Sequence, residues 1–416
     1  MKEITVYADF DFLAVPQEIG TLGYERVRGN DHFVFRYTGD WLKLGGGIIL
    51  SGDLMNVPSL QHPRGGSNVF GFVKDSFPDR WGRLLLDRRE RILAKAEGRD
   101  VRQLTNYDYL VGIEDLTRMG GLRYKSDDCD DFINVGDRLL VPPVESLRTL
   151  CDACREIEAA EERNELPDRR WLDQLVDPGT SLGGARPKAN VVDSDGKLYV
   201  AKFPSKKDLE NTELIEHFSH QLAASAGIYV AKTSTVGISK GRDLLLSERF
   251  DRTVGGRRIH FASAMSLLGL DDGAGSSTGN GYLDIVDFIL RDCVDARQNL
   301  RELYRRVAFN VLFGNTDDHF RNHGFLLTSK GWTLSPAYDI NPGAKTHQSL
   351  LIDQYTEESD INALLNASES YMLERKEASE IIEEVRTAIR DWRKIATRLR
   401  VPVKVLEPYS KRWDSC

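Results

Sequence analysis

The densest run of reactive residues in this 416-residue chain is GNTDDHFRNHGFLL, residues 314–327, where Asp317 and Asn322 stand five positions apart among Asp318, His319 and Arg321. A carboxylate and an amide at this spacing suit phosphoryl transfer. The carboxylate of Asp317 can orient or deprotonate an attacking hydroxyl, and the amide oxygen of Asn322 can help hold magnesium. So many polar groups between apolar segments are costly to fold unless they meet a ligand. Three other segments suit the same chemistry. In SLGGARPKA, Gly183 and Gly184 let the backbone approach a polyphosphate and offer N–H groups, while Lys188 supplies charge; it is not a Walker motif. In KLYVAKF, Lys202 shares its side of a strand with Leu198 and Val200, so its ammonium needs a carboxylate or phosphate, and Glu213 on the next helix is the candidate partner. In LSPAYDIN, Asp339 follows a predicted hairpin, GFLLTSKGWTLSP, and would chelate magnesium across a nucleotide's phosphates.

These residues need a scaffold of both kinds. The β-rich segments ITVYADF, HFVFRY and GGGIIL predict a mixed or barrel-like subdomain at the start. Helical periodicity follows from about Pro78 to Ala96 and from about Val144 to Glu162. KANVV and KLYVAKF form a predicted hairpin about DSDG, and a helix is expected from about Leu209 to Ala226, followed by a strand in DLLLSERF. After about His260 the pattern is helical, in YLDIVDFIL, in LRELYRRVAFNVLF and through a long segment from Tyr371 to Leu399, while GAGSSTGNG at 273–281 reads as a mobile loop.

Composition sets limits on function. The formal charge of −8 gives no global field for unaided binding to DNA. No run approaches the roughly 20 apolar residues needed to cross a bilayer, and MKEITVYADFDFL lacks the regions of a secretory signal, so a cytoplasmic protein without membrane contact is expected. Of five cysteines, Cys151 and Cys154 form a lone CxxC. Leu147, Leu150, Cys154 and Ile157 share one helical stripe, which favours reduced, buried thiols over a redox or zinc site.

Together the four segments resemble the HipA family of toxin kinases, in which a Gly-rich loop with a leading serine, a strand lysine, a DxHxxN loop and a YD-type magnesium aspartate recur in this order. Here they read SLGGARPK, YVAKF, DDHFRN and AYDIN. SERFDR at 247–252 matches the family's ERFDR segment, and FGFVKDSFPDRWGRLLL and MGGLRY resemble its amino-terminal segments, so nearly the whole chain is covered. IHFASAMSLLG at 259–269 departs from the polar EDxxQ-like segment of many members, which bears on the substrate and partner surface.

The resemblance implies an α+β, protein-kinase-like two-lobed fold: a β-rich N-terminal subdomain over 1–150, a β-rich N-lobe over 151–260 and an all-α C-terminal lobe over 261–416. It implies ATP and Mg2+ as cofactors, with Gly183, Gly184, Ala185, Lys188, Lys202, Glu248 and Phe250 on the nucleotide, Asn322 and Asp339 on the metal, and Asp317 at the acceptor hydroxyl. The implied acceptor is a serine or threonine of a protein, an aminoacyl-tRNA synthetase by analogy with characterised members, with translation arrest as the outcome. Ser181, with Thr180 beside it, matches the autophosphorylated position of the Gly-rich loop. The implied partner is a helix-turn-helix antitoxin of HipB type, which would supply DNA contacts indirectly. Two other readings are a small-molecule kinase of related fold, discriminated by transfer to sugars or aminoglycosides, and an inactive scaffold that joins an antitoxin on operator DNA, against which the intact Lys202, Asp317, Asn322 and Asp339 argue.

Overall fold

Period-two alternation builds the first strand: in β1 (Lys2–Ala8), Ile4, Val6 and Ala8 are buried while their neighbours are not. β2 (Gln17–Val27) and β3 (Asn30–Tyr37) meet at a two-residue turn, Arg28 and Gly29, both at positive φ (51° and 86°), the geometry that matches strand twist in tight hairpins. With β4 (Leu122–Ser126) they form an open antiparallel sheet of order β3-β2-β1-β4, not a barrel. Within GGGIIL the described residues 47–50 form no strand, and Leu50 is buried.

The computed structural model describes residues 1–44, 47–126, 128, 130–135, 141–176, 186–239 and 241–416. They divide into one compact unit of Met1–Leu209 with Val236–Ala262 and a second of Glu210–Thr235 with Ser263–Cys416. Among the described residues, no helix is long and apolar enough to cross a membrane.

The first unit also holds α1 (Arg80–Glu97), α2 (Leu147–Glu162) and α3 (Arg169–Val176). Asp79 caps α1 by accepting from the Gly82 N–H at 2.7 Å, and Gly98, left-handed at φ 65°, ends it. A second sheet, β5 (Lys188–Val192), β6 (Leu198–Lys202), β7 (Thr233–Ser239) and β8 (Arg242–Glu248), runs in the order β5-β6-β8-β7. The predicted DSDG turn joins β5 to β6: Asp193 accepts from the N–H groups of Asp195 and Lys197. Trp81 and Leu85 of α1, Cys151, Cys154 and Ile157 of α2, and Ala189, Ala201, Phe203 and Leu246 of the sheet share one core. Both thiols of the CxxC are therefore core groups, and burial pushes the Cys154 thiol well above its ordinary value.

The second unit is mostly helical, with α4 (Thr212–Ser225), α5 (Tyr282–Asp292), α6 (Ala296–Phe309), α7 (Arg375–Arg390), α8 (Trp392–Leu399) and α9 (Val403–Asp414). The predicted hairpin is present as β9 (Gly324–Thr328) and β10 (Gly331–Leu334), so this unit is not purely helical. The long segment from Tyr371 to Leu399 is not one helix but breaks at Asp391. The break turns Trp392 inward, where its ring meets Trp413 at 5.3 Å and its indole N–H donates to Asp414. GAGSSTGNG is not a free linker: the Ser276 N–H bonds the Ser349 carbonyl, and a Cβ on Gly275 or Gly281 would collide with the backbone at Ser349 or Leu351. Gly275 and Gly281 thus serve close approach.

Candidate active site

The segment that carries Asp317 and Asn322 is anchored from below. α6 ends in one turn of π-helix, Asn310–Gly314, a local widening often found at functional sites. Gly314, at φ 91°, then turns the chain into the loop. Asp318 points inward and is 4% exposed. Its Oδ2 accepts from the Tyr282 hydroxyl at 2.8 Å and the Asn310 amide at 2.7 Å, and lies 2.7 Å from His323 Nε2. Burial by itself would raise this carboxyl, but the charge and hydrogen bond of His323 and the hydroxyl of Tyr282 outweigh it and hold Asp318 below the usual carboxylate range.

Asp318 and His323 are five positions apart, as are Asp317 and Asn322, and the two pairs face oppositely. The buried pair clamps both ends of the loop, while Asp317 is exposed and Asn322 half-buried. The Asn322 amide N–H donates to the Asp317 carbonyl at 3.1 Å, which fixes the side chain and leaves its Oδ1 as the acceptor turned away from that bond.

Asp339 lies on the segment after β10. Ala337 exchanges backbone hydrogen bonds with Tyr229 and Ala231, and the Tyr338 hydroxyl donates to the Arg321 carbonyl at 2.6 Å. That bond ties the Asp339 segment to the loop of Asp317 and Asn322. Asp339 itself is left-handed at φ 56°, a conformation uncommon for a non-glycine residue and concentrated at functional sites. The Asn341 amide N–H lies 3.4 Å from Asp339 Oδ1, and the buried Oδ1 of Asn341 has no hydrogen-bond partner. All these donors are hard oxygens. Among the described residues no cluster of three His, Cys, Asp or Glu side chains could hold a metal by itself. Magnesium takes one or two protein oxygens together with a substrate's phosphates, so Asn322 and Asp339 fit it.

In the first unit, Lys202 is half-buried at the end of β6, directly opposite Lys188 of β5 in the antiparallel register. Two opposed ammonium groups repel and call for anions. Lys188 is 4% exposed, and its Nζ lies 2.7 Å from Oδ2 of Asp79, the residue that caps α1, so its ammonium is held in a buried ion pair. Glu248 ends β8 and holds Lys197 at 2.7 Å, and the Phe250 ring lies 6.0 Å from that of Phe261. Glu213 is buried in the first turn of α4, in the second unit. Thr180, Ser181, Gly183, Gly184 and Ala185 lie outside the described residues.

Sequence reasoning did not assign roles to Tyr282, Asn310, His323 or Tyr338. His323 could have been found, because it repeats from Asp318 the spacing of Asp317 and Asn322. Tyr282 is 36 residues from its partner and left no local signal.

Comparison with known proteins adds the relationship. The family described as the HipA-like C-terminal domain matches residues 180–392. The Sinorhizobium fredii protein named "Putative kinase Y4mE" is 28% identical over 191 residues, 42% of this chain and 45% of its own length. The Shewanella oneidensis "Serine/threonine-protein kinase toxin HipA" is 27% identical over 219 residues, 45% of this chain and 49% of its own length. The chain thus spans about half the length of these curated relatives. Among solved structures, the complex of Shewanella oneidensis HipA with HipB and its operator DNA contains a chain that superposes with a TM-score of 0.67 at 17% identity, covering 99% of this chain and 95% of that one. At that identity the likeness shows the fold: α+β and kinase-like, over the whole chain.

Proposed function

The chain belongs to the HipA family, and on that premise we propose that it is an ATP- and magnesium-dependent serine/threonine protein kinase of the toxin type. What supports the reading most is the joining of two distant segments, Asp317–Asn322 and Tyr338–Asp339, by the Tyr338–Arg321 hydrogen bond. Lys202 holds the phosphates of ATP, with Glu213 as its partner, and Glu248 and Phe250 lie near the adenine. Asn322 and Asp339 hold magnesium, which neutralises charge on the phosphates when bound. Asp317 positions the acceptor hydroxyl and takes its proton. The hydroxyl oxygen forms a bond to the γ-phosphorus, the bridging O–P bond breaks, and ADP leaves with the electron pair. Most of the acceleration comes from positioning and charge neutralisation.

The protein acceptor is an aminoacyl-tRNA synthetase in this reading, Gly183, Gly184 and Ala185 of the Gly-rich loop bind the nucleotide, and Ser181, with Thr180 beside it, is the site at which the kinase phosphorylates that loop. A helix-turn-helix antitoxin of HipB type is the proposed partner in the cytoplasm. The net charge of −8 supports it, since DNA contacts then come from the partner.

The test is incubation of wild type and Asp317→Ala with magnesium and labelled ATP, followed by intact-mass measurement and peptide mapping. Phosphate on wild type only, with ATP binding retained in Asp317→Ala and activity at least about a hundredfold lower, is the expected result. Equal transfer by both proteins, or none by either, overturns the assignment.

A further inference from the structure

A polar cavity lies in the second unit, against the π-helical turn. It encloses about 440 Å³, within the range of small-ligand sites, and its walls include Val311 and Leu312 of that turn, Arg386 and Arg390 of α7, and Arg412 and Ser415 at the end of α9. Arg386 and Arg390 are one helical turn apart and so share a face.

Three guanidinium groups in one cavity repel unless anions balance them. Arg386 has Glu383. Arg390 donates from Nε to the Cys416 main-chain oxygen at 2.5 Å, and Arg412 donates from one nitrogen to the Lys345 carbonyl at 3.0 Å; no side-chain carboxylate pairs with either among the described residues. The other terminal nitrogen of Arg412, Nη1, is buried without any hydrogen-bond partner. A buried, unpartnered guanidinium nitrogen is expensive. The one acidic side chain in the cavity wall, Asp360, already caps the helix Ile361–Asn366 by accepting from the Asn362 N–H at 2.8 Å, and the main-chain carboxyl of Cys416 is already taken by Arg390. Burial raises the half-buried Cys416 thiol, and the charges of all three arginines oppose that rise.

We propose that this cavity binds a small phosphate-bearing anion of the diphosphate class, held by Arg386, Arg390 and Arg412. The guanidinium fork matches phosphate oxygens two at a time, so Arg386 and Arg390 can hold two linked phosphate groups, with Arg412, whose Nη1 lies against Gly314, adding positive charge behind them. Arg412 packs against Gly314, where a Cβ would collide with its Nη1, so the ligand bears on the turn that leads into the Asp317 loop. The site does not depend on the kinase reading.

The test is calorimetric titration of the full chain with inorganic pyrophosphate, without magnesium, using wild type and the double variant Arg386→Gln/Arg390→Gln. The double variant should bind at least about fivefold more weakly. Absence of binding to wild type, or a smaller loss in the double variant, overturns the proposal. Arg390 is exposed, so Arg390→Gln alone is read by the same threshold if the double variant is unstable. Kinase activity enters none of these readouts, so failure here is separate from failure of the proposed transfer.

Discussion

Asp318 and Asp317 are neighbours with opposite tasks. Asp318 sits in the core with Tyr282, Asn310 and His323 around one oxygen. Removing it strands three buried polar groups, so Asp318→Ala should lose about 3–5 kcal/mol of stability in urea unfolding, whereas Asp317→Ala, at an exposed position, should leave the midpoint nearly unchanged. The two opposed lysines separate in the same manner. Lys188→Met leaves the Asp79 carboxylate buried without its ammonium and should destabilise by about 3 kcal/mol. Lys202→Met should instead weaken nucleotide binding by about tenfold or more, read by titration of a fluorescent ATP analogue, with a smaller shift in melting. Weakened nucleotide binding by Lys188→Met at unchanged stability would instead place Lys188 on the nucleotide.

At the scale of elements, the ERFDR segment after β8 works as a staple within the first unit. Arg249 donates to the Thr117 carbonyl at 2.8 Å and the Asn190 side chain at 2.9 Å, Arg252 to the carbonyls of Leu116 and Arg118, and Asp251 accepts from the Gly120 N–H at 2.7 Å. Gly120, at φ 73° with Phe261 backbone against it, has room for no side chain. Burial would raise the Asp251 carboxyl, but the charges of Arg249 and Arg252 hold it far below its ordinary value. Its folded value is below its unfolded one of about 3.9, so its contribution is fully present above that pH and is lost as pH falls toward the folded value. Wild type should therefore lose stability steeply below about pH 4, and Asp251→Asn, less stable at pH 7 by about 3–5 kcal/mol, should show a shallower slope there when both are unfolded in urea across that range.

For the whole molecule, the balance of charge decides its behaviour with nucleic acid. A chain of net charge −8 should bind a short DNA duplex no more tightly than about 10–100 µM at physiological salt when alone. Fluorescence anisotropy, with and without a helix-turn-helix protein from a neighbouring gene, measures this. Tight binding by the chain alone would contradict the proposed indirect route to DNA.

Much of this was legible locally. Period-two and period-3.6 patterning located β1, the DSDG hairpin, α1, α2 and the β9–β10 hairpin, because each is set by neighbours within a few positions. The residue types and spacing of Asp317, Asn322 and Asp339 marked the candidate site for the same reason. The sequence did not show that Lys188 would find Asp79, 109 residues away, or that Tyr338 would bond the Arg321 carbonyl. Nor did it show that Asp391 would break a continuous helical pattern so that Trp392 meets Trp413. Those outcomes depend on which distant groups share one buried volume. Sequence by itself determined which residues could do chemistry, and the tertiary structure decided which of them are occupied in holding the fold.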